Sequence, residues 1–139
     1  MTKSNVKISK KMAEEEVRTF LEAHYIDVDT EDMEEEEASE TNAIIAALAR
    51  PIQKGRATID GKKYTLTLLE PQGDLKEVSF EGMSFHALTH SSRAKAGDNM
   101  AMEGQVVAAM CGIMYAELCK MPIQDFMVLN NLKKVFMSA

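Results

Sequence analysis

Residues 56–69 have the sequence Arg-Ala-Thr-Ile-Asp-Gly-Lys-Lys-Tyr-Thr-Leu-Thr-Leu-Leu and give the clearest structural signal in the chain. The Asp-Gly pair at 60–61 accepts the positive φ values of a type I′ turn. Beyond it, apolar side chains at Tyr64, Leu66 and Leu68 alternate with threonines, which predicts a strand with one apolar face. Because an isolated hairpin is only marginally stable, another part of the chain must cover this face.

The chain after the hairpin is predicted to be helical. Residues 74–80 predict a short helix, and residues 100–120 predict one long helix that is apolar on nearly every side. A helix of this kind is normally buried over most of its surface. Residues 91–99 are polar and predict a loop, and Pro122 suits the first turn of a last helix that reaches about Phe136.

The chain before the hairpin contains a block of negative charge. Residues 27–40 hold nine acidic side chains and no basic one, which predicts a solvated linker or a frayed helix, because such a block repels itself. Residues 9–25 predict a helix capped by Ser9. Residues 42–48 form a short apolar run that fits a helix end or a strand, and we favour a strand leading into Pro51, since proline disfavours a helix that continues through it.

Together these elements predict an α+β fold, in which an N-terminal helix and an acidic linker precede a small antiparallel β-hairpin or sheet packed on a C-terminal helical bundle. Residues 1–47 carry five basic and 13 acidic side chains, a net charge of −8, whereas residues 48–139 carry 11 and nine, a net of +2. This difference predicts an acidic N-terminal extension over residues 1–47 and a core domain over residues 48–139.

Composition argues against several classes of protein. The net charge of −6 argues against a nucleic-acid-binding protein that works through phosphate contacts. The longest uncharged run, residues 104–116, is shorter than the roughly 20 residues that a membrane span needs. The first residues lead into no apolar signal core, and the two cysteines lie in an apolar stretch where reduced thiols are expected. We therefore expect a cytoplasmic protein.

The sequence gives little support for catalysis or for a bound metal or cofactor. His86 and His90 have the spacing of two zinc ligands on a helix, but no glutamate follows His86 to act as a general base. Cys111 and Cys119 are eight residues apart, too far for one tetrahedral site, and their apolar surroundings make poor nucleophiles. No glycine cluster forms a phosphate-binding loop. We predict a protein without enzymatic activity, cofactor or metal.

The apolar helices of the second half predict a surface that binds another protein. Eight of the 11 methionines lie between residues 83 and 137, and unbranched methionine adapts to varied apolar partners. Gap filling in the core is the alternative role for these side chains. The candidate partner-binding residues are Met110, Met114, Leu118, Met121, Phe126 and Met127. A second copy of the chain is an alternative partner for the same surface.

From residue 48 onward, apolar, proline and glycine positions recur at a characteristic spacing. They are Leu48, Pro51 and Ile52, then Gly55 and Ile59, the Leu68–Pro71 stretch, Asp74 and Leu75, Cys111 and Gly112, and Met121–Leu129 followed by Phe136. This pattern resembles the tail assembly chaperones of long-tailed bacteriophages, the family that contains the small tail proteins of phages Mu and P2.

The resemblance implies a chaperone that binds the apolar, helical tape measure protein and keeps it soluble in the host cytoplasm while the tail tube polymerises. It carries over no catalytic residues. Residues 1–47 fall outside the pattern and suggest an alternative. In that hypothesis the protein is a small acidic inhibitor, such as an anti-defence protein, which uses residues 27–40 to block a basic channel of its target.

Overall fold

A computed structural model describes residues 8–82 and 99–137 of the 139-residue chain. These residues form five α-helices and a three-stranded antiparallel sheet of order β1-β2-β3, which confirms the predicted α+β class. The helices are α1 (Lys10–Ala23), α2 (Glu35–Gln53), α3 (Asn99–Cys111), α4 (Tyr115–Lys120) and α5 (Ile123–Met137). The strands are β1 (Ala57–Asp60), β2 (Lys63–Gln72) and β3 (Leu75–Phe80). Most of the predicted 91–99 loop lies outside the described residues.

The predicted hairpin is confirmed, with a different turn type. β1 and β2 pair antiparallel, and Ile59 lies opposite Tyr64. The two central turn residues are Gly61 and Lys62, because Asp60 is already paired with Lys63. Gly61 has a φ of 59° whereas Lys62 has no positive φ. Positive φ at the first central residue alone is the pattern of a type II′ turn rather than type I′.

Residues 75–80 form strand β3, so the prediction of a short helix at 74–80 is wrong. Gly73, with a φ of 64°, lies in the tight turn that returns the chain along β2. Val78 then pairs with Leu66, and both side chains point into the core. Pairing with an established strand and burial of alternate side chains outweigh the weak helical preference of so short a segment.

Helix α2 replaces the strand predicted at 42–48, and its start takes up part of the acidic block. Glu35, Glu36 and Glu37 form the first turn of the helix, where the positive end of the helix dipole favours acidic side chains. Residues 27–40 are therefore not simply a linker. Pro51 lies in the last turn of α2 and is buried. Proline removes one hydrogen bond, that from its own nitrogen to the carbonyl four residues earlier, and burial of Leu48, Ala49 and Ile52 beside it offsets this cost.

Helix α1 packs on α2 and belongs to the same core as the sheet. It begins as predicted at Ser9, whose side chain accepts a hydrogen bond from the Met12 amide at 3.2 Å. Four of its side chains are fully buried, namely Ala13, Val17, Phe20 and Leu21. One apolar cluster joins them to side chains of every described helix and strand. The predicted boundary between residues 47 and 48 falls inside α2, so residues 8–47 are part of this core rather than an extension beside it.

The helix predicted at 100–120 is broken in two. Gly112 has a φ of 68°, a conformation that glycine adopts at little steric cost and that commonly ends helices. The chain then turns into α4, which packs closely on α3. At Gly104 a Cβ atom would lie only 2.7 Å from the Tyr115 ring. The last helix, α5, lies where the sequence predicts it.

A cluster of aromatic rings occupies the centre of the core. The centroid of the Phe20 ring lies 4.9 Å from His24, 5.9 Å from Tyr64, 6.4 Å from Phe80 and 6.1 Å from Phe136. Phe20 lies in α1, Tyr64 in β2, Phe80 in β3 and Phe136 in α5, and His24 directly follows α1. The cluster therefore joins the first and last helices of the described chain. The Tyr64 hydroxyl donates a hydrogen bond of 2.8 Å to the carbonyl of Leu48 in α2, and burial raises the pKa of Tyr64, although the charge of Arg56 opposes this shift.

Candidate partner-binding surface

A buried carboxylate connects the first turn of α5 to the sheet. Asp125 is fully buried, and its Oδ2 atom accepts a hydrogen bond of 2.8 Å from the backbone amide of Leu69 in β2. Its Oδ1 atom forms an ion pair with the guanidinium group of Arg56, which also donates to the carbonyl of Thr67 at 3.3 Å. A buried charge persists in a folded protein only when it is paired and hydrogen-bonded in this way. These contacts fix the rotation of α5 about its own axis.

That rotation directs two apolar side chains of α5 into water. Ile123 and Met127 lie two residues before and two residues after Asp125, so each lies about 200° around the helix from the buried carboxylate. Ile123 is 61% exposed and Met127 is 47% exposed. They are also neighbours on the helix surface, because residues four apart lie on the same face. We call this pair the outer apolar face of α5.

A second polar contact holds the middle of α5. Lys133 is 5% exposed, and its Nζ atom lies 2.6 Å from Oε1 of Glu103 in α3. Asn130 is also buried, and its Oδ1 atom has no hydrogen-bond partner within the described part of the chain. The buried residues of α5 thus include three polar ones beside four apolar ones, whereas the apolar Ile123 and Met127 are exposed together with Gln124 and Lys134.

The structure separates the six predicted partner-binding residues into three groups. Three are buried in the core, namely Met110, Leu118 and Met121. Phe126 is half-buried and packs against the core. Met114 and Met127 are exposed, Met114 to 66%. The physical reason for the separation is the break at Gly112, which turns α4 away from the axis of α3, so residues predicted to share one helical face do not share it.

Met114 is exposed because it lies at the N-terminus of α4, outside the helix. Its backbone amide donates a hydrogen bond of 2.9 Å to Oε1 of Glu117, which closes the first turn. Ile123 was not among the six predicted residues. The sequence contained a signal for it, since Ile123 falls outside the apolar stripe formed by Val128, Leu129, Leu132, Val135 and Phe136. A residue that lies off the buried stripe of a helix is expected to face water.

The two thiols have different environments. Cys119 is exposed, whereas Cys111 is buried and its burial raises the pKa of the thiol to about 12. Cys111 is therefore protonated at neutral pH and is a poor nucleophile. Within residues 8–82 and 99–137, no three histidine, cysteine, aspartate or glutamate side chains are placed to hold a metal ion. His86 and His90 lie outside the described residues.

None of the helices in the described part of the chain combines the length and the apolar content needed to cross a bilayer. No protein family, curated protein or solved structure matches this chain.

Proposed function

We propose that the protein is a phage tail assembly chaperone, which binds the apolar, helical tape measure protein and keeps it soluble in the host cytoplasm. The observation that carries this proposal is the outer apolar face of α5, where Ile123 and Met127 meet water on a helix whose rotation is fixed from the other side. The resemblance of the sequence to tail assembly chaperones supplies the identity of the client. The proposed activity is binding, without catalysis.

The geometry supports packing of a client helix alongside α5. A single apolar stripe on the client would contact Ile123 and Met127, because side chains four residues apart on each helix interdigitate when two helices pack. Full burial of one side chain of this size contributes roughly 1.5–3 kcal/mol. Since both are already partly covered, the pair contributes only about 2 kcal/mol.

Weak binding at each site suits the proposed role. A contact of this size does not hold a client by itself, so several copies of the protein would bind along a long client that repeats its apolar stripe. Each copy can also dissociate quickly, which a chaperone needs because its client must finally enter the tail tube. The 11 methionines of the chain, and Met127 and Met114 among the exposed ones, favour tolerance of varied client side chains.

The decisive experiment is co-expression of the full-length chain with a tape measure protein, followed by measurement of soluble client and by pull-down. The double variant Ile123→Lys/Met127→Lys is expected to lose the client from the soluble fraction. A matched control is Met12→Lys/Met100→Lys, which changes two exposed apolar side chains on other helices, 60% and 64% exposed, and should retain the client. Circular dichroism establishes that both variants fold. Retention of the client by both variants, or equal loss by both, would contradict the proposal.

The alternative of an acidic inhibitor is favoured by a separate observation. The acidic side chains of residues 27–40 are exposed, although part of this segment is helical. An inhibitor that acts through them would be unaffected by the α5 double variant and would lose its target when the acidic side chains are neutralised. The same two sets of variants therefore distinguish the two functions.

A further inference from the structure

A concave surface separate from the outer apolar face of α5 lies where the end of α1 meets the start of α2. It encloses a cavity of about 410 Å³, near the lower end of the size range of ligand pockets, which is about 300–1,000 Å³. We call this surface the acidic groove. An adjoining cavity of about 490 Å³ shares Glu40 and Ile44 with it and continues between α2 and α5 as far as Met137. The two cavities together reach from the residues that follow α1 to the last residue of α5.

The floor of the acidic groove is apolar. Ile26 and Val135 are 7% and 6% exposed, and Ile44 is half-buried against the core. Half-buried Met33 adds a thioether that accepts a hydrogen bond from the Thr41 hydroxyl at 3.6 Å. When an apolar side chain of a ligand displaces water from such a floor, the free energy of the system falls, which favours binding.

The rim of the groove is negatively charged. It carries four exposed carboxylates, those of Asp27, Asp32, Glu37 and Glu40. Within residues 8–82 and 99–137, no lysine or arginine forms an ion pair with any of them. Four like charges around one opening repel each other and attract cations, and the low-dielectric floor strengthens the field that a ligand experiences there.

The end of α1 arranges the groove wall. The amides of Tyr25 and Ile26 donate to the carbonyls of Glu22 and Leu21 at 2.9 and 3.0 Å, which is the Schellman pattern that ends many helices. This turn directs Ile26 into the core and leaves Tyr25 89% exposed at the rim. The Nζ atom of Lys62 lies 5.2 Å from the centroid of the Tyr25 ring, a distance at which an aromatic face attracts a cation.

We propose that the acidic groove docks a basic amphipathic segment of a partner protein, with apolar side chains on the floor and lysine or arginine side chains against the four carboxylates. Charge complementarity identifies this occupant, because the rim carboxylates would repel an acidic segment and would give a neutral one no electrostatic attraction. Lys133 and Lys134 line the far cavity, so the basic residues of the segment lie toward the Asp27 and Asp32 end. This site is independent of the proposed client surface on α5.

The test uses the full-length chain and a short helical peptide of leucine and lysine, with binding measured by fluorescence anisotropy. Two control peptides keep the length, one with glutamate in place of lysine and one with glycine in place of leucine. The leucine–lysine peptide is expected to bind, with an affinity that falls as salt is raised from about 0.05 M to about 0.5 M. Both control peptides should bind at least about tenfold more weakly. Absence of binding by the leucine–lysine peptide overturns the proposal.

Two matched variants locate the site. Asp32→Asn/Glu37→Gln removes two rim charges away from the lysine-lined end, whereas Glu34→Gln/Glu36→Gln removes two exposed charges of the same segment that do not line the groove. The rim variant should weaken binding about tenfold and the control less than about twofold. Equal losses would show general attraction to the acidic block and overturn the proposal. Loss of a dimer in the rim variant, measured by analytical ultracentrifugation, would assign the groove to a second copy and overturn it as well.

Discussion

Helices α1 and α5 have similar lengths, 14 and 15 residues, and both pack on the same core, but they bury different kinds of side chain. The buried positions of α1 are all apolar, whereas α5 buries Asp125, Asn130 and Lys133 and exposes Ile123 and Met127. Hydrophobic packing alone is sufficient to place α1. The orientation of α5 depends on polar contacts as well as on its buried apolar side chains Val128, Leu129, Leu132 and Val135, and two apolar side chains remain in water. Five substitutions, besides one control, test this difference.

The largest effect is expected for Phe20→Ala in α1. Phe20 is fully buried and its ring lies within 6.4 Å of four other rings, so the substitution removes aromatic contacts and leaves a cavity. The free energy of unfolding should fall by about 4 kcal/mol, measured by urea denaturation. Met12→Ala, on the exposed side of the same helix, is the control and should change it by less than about 0.5 kcal/mol. Similar losses in the two variants would show that α1 is not held by its apolar side.

A smaller loss, about 2 kcal/mol, is expected for Asp125→Ala in α5. The substitution leaves the Leu69 amide without its acceptor and Arg56 without its counter-ion. The cost is below that of a fully buried pair because the Arg56 side chain is 25% exposed and can be hydrated. Urea denaturation measures the change, and hydrogen exchange of the Leu69 amide should accelerate. An unchanged free energy of unfolding would mean that Asp125 does not hold α5 in place.

The substitution Tyr25→Gly should stabilise the protein by about 1 kcal/mol. Tyr25 has a φ of 66° at the position that follows the cap residue of α1, where glycine avoids the steric cost that an L-residue incurs. Thermal unfolding measures the gain as a higher Tm. A lower Tm would show that the contact between the Tyr25 ring and Lys62 contributes more than the backbone conformation costs.

The smallest effects are expected for exposed methionines on the two helices. Met12→Gln in α1 and Met127→Gln in α5 should each change the free energy of unfolding by less than about 0.5 kcal/mol, because both side chains are largely in water, 60% and 47% exposed. Their effects on client solubility should differ, with a loss only for Met127→Gln. A stability loss above about 1 kcal/mol for Met127→Gln would indicate that the outer apolar face is part of the core.

Sequence patterns correctly predicted those elements that depend mainly on residues close together in the sequence. The cap at Ser9, the alternation of Tyr64, Leu66 and Leu68, and the start of the last helix near Pro122 are examples. The incorrect predictions involve residues whose conformation depends on distant partners. Strand β3 forms because β2 is available to pair with it, and α2 passes through Pro51 because packing against the core supports it on both sides.

The candidate surface was predictable only in part. Of the predicted residues, Met114 and Met127 are exposed, whereas Met110, Leu118 and Met121 are buried. The sequence did not reveal the left-handed conformation of Gly112, which breaks the predicted helix. Nothing in the sequence showed that Asp125 would pair with Arg56, 69 residues away. Periodicity places Ile123 off the buried stripe of α5, but it does not show the polar contacts that hold the helix in that rotation.

Asp125 contacts β2 and Arg56, and Lys133 contacts α3. These contacts also matter for repeated binding at the outer apolar face of α5. They hold α5 in one orientation whether or not Ile123 and Met127 are covered, so the surface is complete before any encounter. A surface that is already in its bound form loses little conformational entropy when it is occupied. It also needs no refolding after release, so under the proposed chaperone function the same molecule would serve successive clients without an energy source.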